Sequence, residues 1–391
     1  MGNTMDKRPH SIKDAKRRRS RRLRKRRIRR ILCIVIPVFL CVVLFFGVRG
    51  ILSRVKNTEK SDTKKAEQKE KIDTSNVEVK NLVINTGDET KNKGPVTITV
   101  SSMGDCTLGT DENFNRSTSL NAYYDSQGAD YFFQNVRSIL EEDDLSIVNM
   151  EGTLTEETQR ADKKFAFKGP PEYASILSGS SVEAANLANN HSKDYGSQSY
   201  EDTITYLTDA GIATFGNDEV DILEINGVKV GLTGIYELAE HLEKKQQVKE
   251  NIAALKEAGA QLIIVNFHWG IEKEYTPNDT QKELAHFAID EGADLVIGHH
   301  PHVLQSIEKY NGKYIAYSLG NFCFGGNSNP QDKDTIIFQQ TFTITEDGVE
   351  KDANINIIPC SISSSSGKND YCPTPMESED NRQRVMDKLG M

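Results

Sequence analysis

Five times between residues 97 and 324 an apolar run stops at a small group of Asp, Asn, Glu or His residues, and this repeated ending is what most restricts the fold. VTITVSSM is followed by Gly104-Asp105, LSIV by Asn149-Met150-Glu151, AANLA by Asn189-Asn190-His191, LIIVNF by His268-Trp269, and LVIG by His299 to His302. Between these runs lie amphipathic stretches such as YEDTITYLTDAG and TQKELAHFAIDEG, so strands and helices alternate. LIIVNF and DLVIG are apolar on both faces, as strands covered by layers on both sides are. A layered α/β sandwich is predicted. In α/β sheets ligands bind beyond the carboxyl ends of the strands, which is where these polar groups fall.

The polar groups are carboxylates, amides and imidazoles, the ligand set for one or two divalent ions of the Mn, Fe or Zn kind. Any one of them alone would be an ordinary satisfied polar residue at a loop. Of eight histidines, however, five (His191, His268, His299, His300, His302) sit at these endings, and only His10, His241 and His286 do not. His300-Pro301-His302 reads as an extended i, i+2 pair whose imidazoles share one side.

Charge is divided along the chain. Residues 1–30 carry fifteen Lys/Arg against Asp6 and Asp14, whereas the whole chain has a formal charge of −9, so everything beyond residue 30 is acidic. Residues 31–48 (ILCIVIPVFLCVVLFFGV) form an uncharged apolar run, extended by Ile51 and Leu52, that meets the length needed to cross a bilayer. No small-residue cleavage pattern follows it, so it reads as an uncleaved anchor rather than a signal peptide. Basic flanks stay in the cytoplasm, which predicts a single-pass type II protein of the cell membrane with the bulk of the chain outside. The basic arm then serves topology and contact with bilayer lipid, and no nucleic-acid partner is expected.

The expected organisation is a basic cytoplasmic arm over 1–30, a transmembrane helix over 31–52, and a solvated stalk over 53–95. The main domain covers 96–326, and strands with a polar tail cover 327–391. One short strand is expected near residues 77–84 within the stalk. Asn226-Gly227 and Asp347-Gly348 suit tight hairpins. Cys360 and Cys372 are left as either a disulfide or two thiols.

The order GD, N-x-E, NNH, HWG, GHHPH and SLGNF resembles the CapA (PgsA-like) family linked to poly-gamma-glutamate capsule synthesis, a branch of the calcineurin-like metallophosphoesterase superfamily. The resemblance implies a metallophosphoesterase-like sandwich with Asp105, Glu151, Asn190, His268, His300 and His302 as metal ligands. It also implies His191, paired with Asn190, as a catalytic group. Around them His299, Asn321 and Glu272 or Glu274 are expected against the substrate, and Trp269, the one tryptophan of the chain, is read either as a wall of that site or as ordinary packing. Two departures stand out: Asp105-Cys106-Thr107 replaces the superfamily's Asp-x-His, and Glu151 replaces an Asp.

Two functions follow from the resemblance. One is a metal-dependent, phosphoesterase-like hydrolase acting on an anionic envelope polymer or peptide. The other is a non-catalytic metal- and polymer-binding part of a capsule export complex, working with other capsule-synthesis membrane proteins. An acidic ectodomain attracts a polyanion poorly, so either function calls for a metal or a local Lys/Arg patch such as Lys163, Lys164 and Lys168.

Overall fold

Along the strand Leu262–His268 the side chains divide by parity, because successive residues of a strand point to opposite faces. Leu262 and Ile264 enter one core, while Ile263, Val265 and Phe267 enter another. The strand Leu295–His299 divides the same way, with Leu295 and Ile297 inward and Val296 outward. So does Leu145–Met150, with Leu145 and Ile147 inward and Val148 and Met150 outward. The computed structural model, which describes residues 72–85, 94–350 and 354–391, thus has the predicted layers: helices, sheet, sheet, helices.

One sheet has seven strands, and in it Val228–Tyr236, Leu262–His268, Leu295–His299 and Lys313–Ala316 run parallel as neighbours. The other has nine, with Val96–Thr107, Leu145–Met150, Ala184–Asn186 and Ala213–Phe215 parallel as neighbours. The inner core joins them: Ile98, Val100 and Ile147 from one sheet belong to one cluster with Leu232, Ile264 and Ile297 from the other. Helices Lys245–Glu257 and Asp279–Glu291 cover the outside of the seven-stranded sheet through Val248, Ile252, Leu284 and Ala288. The second of these starts at a capping box between Asn278 and Gln281, which satisfies two helix N-terminal donors. Helices Ala174–Ser178 and Gly196–Asp209 cover the other sheet through Ile176, Leu177 and Leu207.

Register carries the polar ends to one place. Asp105 lies opposite Asn149, Asn149 opposite Asn186, and His268 opposite His299. Each inward row begins apolar and ends polar: 145 and 147 before Asn149, 184 before Asn186, 262 and 264 before Asn266 and His268, 295 and 297 before His299. A slip of one residue would turn those polar groups into an outer apolar layer, so the pattern fixes the register.

The strand expected near residues 77–84 is Glu78–Asn85, parallel to Glu219–Ile225 at the margin of the seven-stranded sheet. Asn226-Gly227 makes the expected hairpin, with both residues at positive φ (52° and 79°) as a two-residue turn requires. Asp334–Thr345 runs antiparallel to both Val96–Thr107 and Asn354–Ser361. The segment read as a polar tail ends in a helix, Glu379–Leu389, which buries Val385 and Leu389 in the inner core. Its Arg384 grips Asp334 through two bonds of 2.8 and 2.9 Å, and its Lys388 reaches Asp332 and Asp334 at 2.7 Å each. Cys360 and Cys372 are free buried thiols, Cys360 on the carbonyl of Ile358 and Cys372 on that of Tyr131.

Among the described residues no helix is long and apolar enough to cross a membrane. The basic arm, the apolar run at 31–52 and the first part of the expected stalk lie outside the described residues.

Candidate metal centre

Glu151 stands one residue past the strand Leu145–Met150, and its position is the least ordinary in the domain. It is fully buried, yet neither carboxylate oxygen has a hydrogen-bond partner. Three imidazole nitrogens face it instead: Nε2 of His268 at 3.6 Å, of His302 at 3.7 Å and of His191 at 4.0 Å. A buried carboxylate without donors is costly unless a cation compensates it.

Asp105 lies on the other side of His302, whose Nδ1 is 3.1 Å from Asp105 Oδ2 and 2.9 Å from Asn321 Oδ1. Asp105 also accepts from Asn149 Nδ2 at 2.8 Å and from the His300 backbone N–H at 3.4 Å. Its own N–H donates to the Gly320 carbonyl at 3.0 Å, an approach that a Cβ on Gly104 would block by coming within 2.1 Å of that oxygen. His268 is held between Asn149 Nδ2, 3.2 Å from its Nδ1, and Asn190 Oδ1, 2.8 Å from its Nε2. Asn186 donates to Asn149 Oδ1 at 2.9 Å and so props the amide that touches both Asp105 and His268.

Two overlapping groups, Glu151–His268–His300 and Asp105–Glu151–His302, each bring their ligand atoms within 4.8 Å of one another. His300 Nδ1 is buried and unpartnered. This donor set, with its orphaned carboxylate, fits one or two divalent ions of the borderline kind.

The electrostatics agree. Burial drives the Glu151 carboxyl well above its usual range, against the pull of His302. Burial also opposes charge on His302, but Glu151 and Asp105 outweigh it and raise that imidazole to about 10. Burial works against the Asp105 carboxylate too, yet bonding and attraction from His302 bring it below its ordinary value. Burial pushes His268 well down, and lowers His299 and His300 to about 4 each.

His191 has a separate support. Its Nδ1 lies 2.7 Å from Asp194 Oδ2, and Asp194 also accepts from Phe167 N at 2.6 Å and Lys163 Nζ at 2.7 Å. Burial lowers the His191 pKa and the Asp194 contact works to raise it. Nδ1 is therefore committed, and Nε2 is the nitrogen that faces Glu151.

Asp105, Glu151, Asn190, His191, His268, His300 and His302 thus converge, and Asn321 joins them through His302. Glu272 lines the cleft beside the centre; Glu274 does not. Trp269, one candidate wall of the substrate site, lies instead wholly in the outer core, stacked on Phe267 and donating to the Tyr317 carbonyl at 2.8 Å. His268 points inward, so its neighbour points outward. His299, expected against substrate, is buried 3.7 Å from Asp105 and 3.3 Å from Asn266, behind the ligands rather than in the cleft. Nor is His300-Pro301-His302 extended: His300 and His302 take φ of 94° and 57°, a tight loop that still sets their rings 5.7 Å apart.

Asn186, Asn266 and Asp194 were not picked out as site residues from sequence. The first two continue inward rows, a period-2 signal, and Asp194 lies three residues beyond His191. Of the lysines expected to supply a local cation, Lys163 is tied to Asp194 and the Asn190 carbonyl, and Lys168 to the Glu157 carbonyl. Lys164 lines the cleft.

Residues 99–326 match the model of a family described as bacterial capsule synthesis protein PGA_cap. The chain is similar to the PGA biosynthesis protein CapA of Bacillus subtilis, at 33% identity over 51% of this chain and 58% of that protein. It is similar to the capsule biosynthesis protein CapA of Bacillus anthracis, at 31% identity over 67% of each chain. A probable polyglutamine synthesis accessory protein of Mycobacterium tuberculosis matches at 25% identity over 56% of this chain and 66% of that protein. The alignment therefore spans between about half and two thirds of the length of these relatives.

Proposed function

This chain belongs to the bacterial capsule-synthesis family PGA_cap, and we propose that it serves the synthesis or export of an anionic capsule or cell-envelope polymer through a metal-dependent, hydrolase-like centre. The relatives' names supply the polymer context: PGA biosynthesis, capsule biosynthesis and polyglutamine synthesis. The observation that carries the chemistry is Glu151, a fully buried carboxylate with no hydrogen bond, ringed by His268, His302 and His191. Asp105, Glu151, Asn190, His268, His300 and His302 are the residues that would hold one or two ions. A divalent ion bound there supplies Lewis acidity and a water acidified toward neutrality.

The chain's own groups do the rest. Asp194 and Lys163 fix the His191 ring so that Nε2 faces the reacting position, where the imidazolium, which the Asp194 carboxylate favours, can give its Nε2 proton to a leaving group or stabilise its charge. Asn149 and Asn186 hold Asp105 and His268 in register. The Phe167 ring, 4.5 Å from the His191 ring, keeps water from that side of the imidazole.

The apolar run at 31–48 and the basic arm before it support an N-in, type II anchor with this centre outside the cell membrane. Reporter fusions at either end of that run test the topology. The chemistry is tested with the full chain in detergent, by elemental analysis of bound metal and by hydrolysis of a phosphodiester and of gamma-glutamyl polymer. Bound Mn, Fe or Zn with hydrolysis abolished in His302→Ala supports the enzyme. Full metal loading with no turnover supports a polymer-binding component instead. Protein that holds no such metal and is indifferent to His268→Ala overturns both.

A further inference from the structure

Beside the centre lies a cleft of about 880 Å³ whose lining is of two chemistries. One part of the lining is aromatic. Phe114 packs edge-on against Phe165 at 5.8 Å, Phe167 stacks parallel to Phe165 at 6.3 Å, and Phe167 in turn touches the His191 ring. Phe165 is 39% exposed, and that exposure is imposed by its loop. The loop is pinned by Arg160 on Asp111 at 2.7 Å, by Ala166 N donating to Asp111 at 2.7 Å, and by Lys163 on Asp194. A rigidly presented phenyl ring next to a polar centre is a surface for a ligand to lie on.

Another part of the lining is neutral and polar, with Asn327, Ser328, Asn329 and Gln331 exposed along one loop. Asn369 braces that loop by donating to the carbonyls of Phe324 and Asn327 at 2.9 Å each. The cleft is lined by two lysines, Lys164 and Lys273, and two carboxylates, Glu272 and Asp332, and no arginine lines it. Asp332 is already held by Lys388 and by the Tyr275 hydroxyl. A groove for a dense polyanion would concentrate cations, and this one does not. Flat aromatic faces sharing one cleft with amides and hydroxyls match a pyranose, whose C–H face stacks on a ring while its hydroxyls and N-acetyl group take hydrogen bonds. Lys164 Nζ, 4.8 Å over the Phe165 ring, is an exposed and weak contact that a sugar ring can displace.

We propose that this cleft is a saccharide subsite, holding a neutral N-acetylated glycan segment joined to the group that reaches Glu151 and His302. The subsite rests on reading the adjoining centre as the reacting end, but its test reads binding alone. The full chain, in a non-glycosidic detergent, is titrated calorimetrically with chitotetraose and with poly-gamma-glutamate of similar length.

Saturable binding of chitotetraose is expected, weakened about tenfold by Phe165→Ala, weakened also by Asn327→Ala, and kept by Phe165→Trp. Phe165 is exposed, so these variants keep the core intact. Absence of saccharide binding overturns the subsite. So does binding that ignores both alanine variants, or polyglutamate binding that chitotetraose fails to displace. Saccharide binding in a protein that holds no metal would refute the proposed chemistry and leave the subsite standing, whereas metal loading without saccharide binding would do the reverse.

Discussion

Replacing Glu151 by Gln should raise the stability of the ion-free protein and remove its response to metal. The wild-type carboxyl is fully buried with both oxygens unpartnered, and burial pushes its pKa well up. A buried polar group left unsatisfied costs about 1–3 kcal/mol. Gln keeps the shape, cannot ionise and brings amide N–H donors of its own toward the facing imidazoles, so a domain of this size, which shifts by about 2 °C per kcal/mol, should melt about 2–6 °C higher in EDTA. An ion at a hundred times its Kd adds about 2.7 kcal/mol to the wild type, or about 5 °C. The variant lacks the charged oxygens that His268, His302 and His191 face, and should show little of that gain. The order of the two melting temperatures is therefore expected to narrow or reverse when Mn²⁺ or Zn²⁺ is added. Differential scanning fluorimetry with and without EDTA reads both. If Glu151→Gln melts below wild type in EDTA, or gains as much from metal, the reasoning about the orphaned carboxylate is wrong.

Asp194→Asn should leave metal content unchanged and cut turnover about a hundredfold with little change in KM, because His191 loses the partner that fixes its Nδ1; unchanged kcat would refute this. Gly234→Ala should weaken metal binding without touching a ligand, since its Cβ would fall 1.9 Å from Asn186 Oδ1 and displace the prop under Asn149; elemental analysis of purified protein checks it. Burial raises Asp221 and Glu183 to about 7 each, so the folded protein holds protons there that the unfolded chain releases near pH 4. Their contribution is whole below about pH 4 and is lost as pH rises through about 7, so melting temperature should fall between pH 5 and pH 8. The pair Asp221→Asn with Glu183→Gln should flatten that fall, and an equally steep fall in the double variant would count against it. Arg384→Ala removes both bonds to buried Asp334 and should lower the melting temperature by about 2 °C per kcal/mol lost, read by differential scanning fluorimetry.

Much of the layout was legible in the chain because strand parity and chemistry coincide. An inward row that turns from Leu and Ile to Asn and His announces both the layer and the end of the layer at which a ligand sits. What parity alone cannot show is how far beyond the last strand residue the chain has already turned. His300 and His302 were read as extended, and they converge instead through two positive-φ residues in a tight loop. Of the two readings of Trp269, cleft wall or packing, the structure has the second, because adjacency to inward-facing His268 along a strand means the opposite face. Asp194 escaped because its role arises only when the loop after Ala184–Asn186 folds back on Phe167 and Lys163, contacts set by tertiary structure.

The change of character along each inward row also separates two kinds of mutational outcome within a single strand. Substituting Leu262 or Ile264 disturbs the cement between the sheets and should show as loss of protein from the cell. Substituting Asn266 or His268, further along the same inward row, should spare abundance and strike the centre. A variant survey that scored yield and phenotype separately would find the boundary inside the strand, so that the same seven residues act as masonry at one end and as instrument at the other.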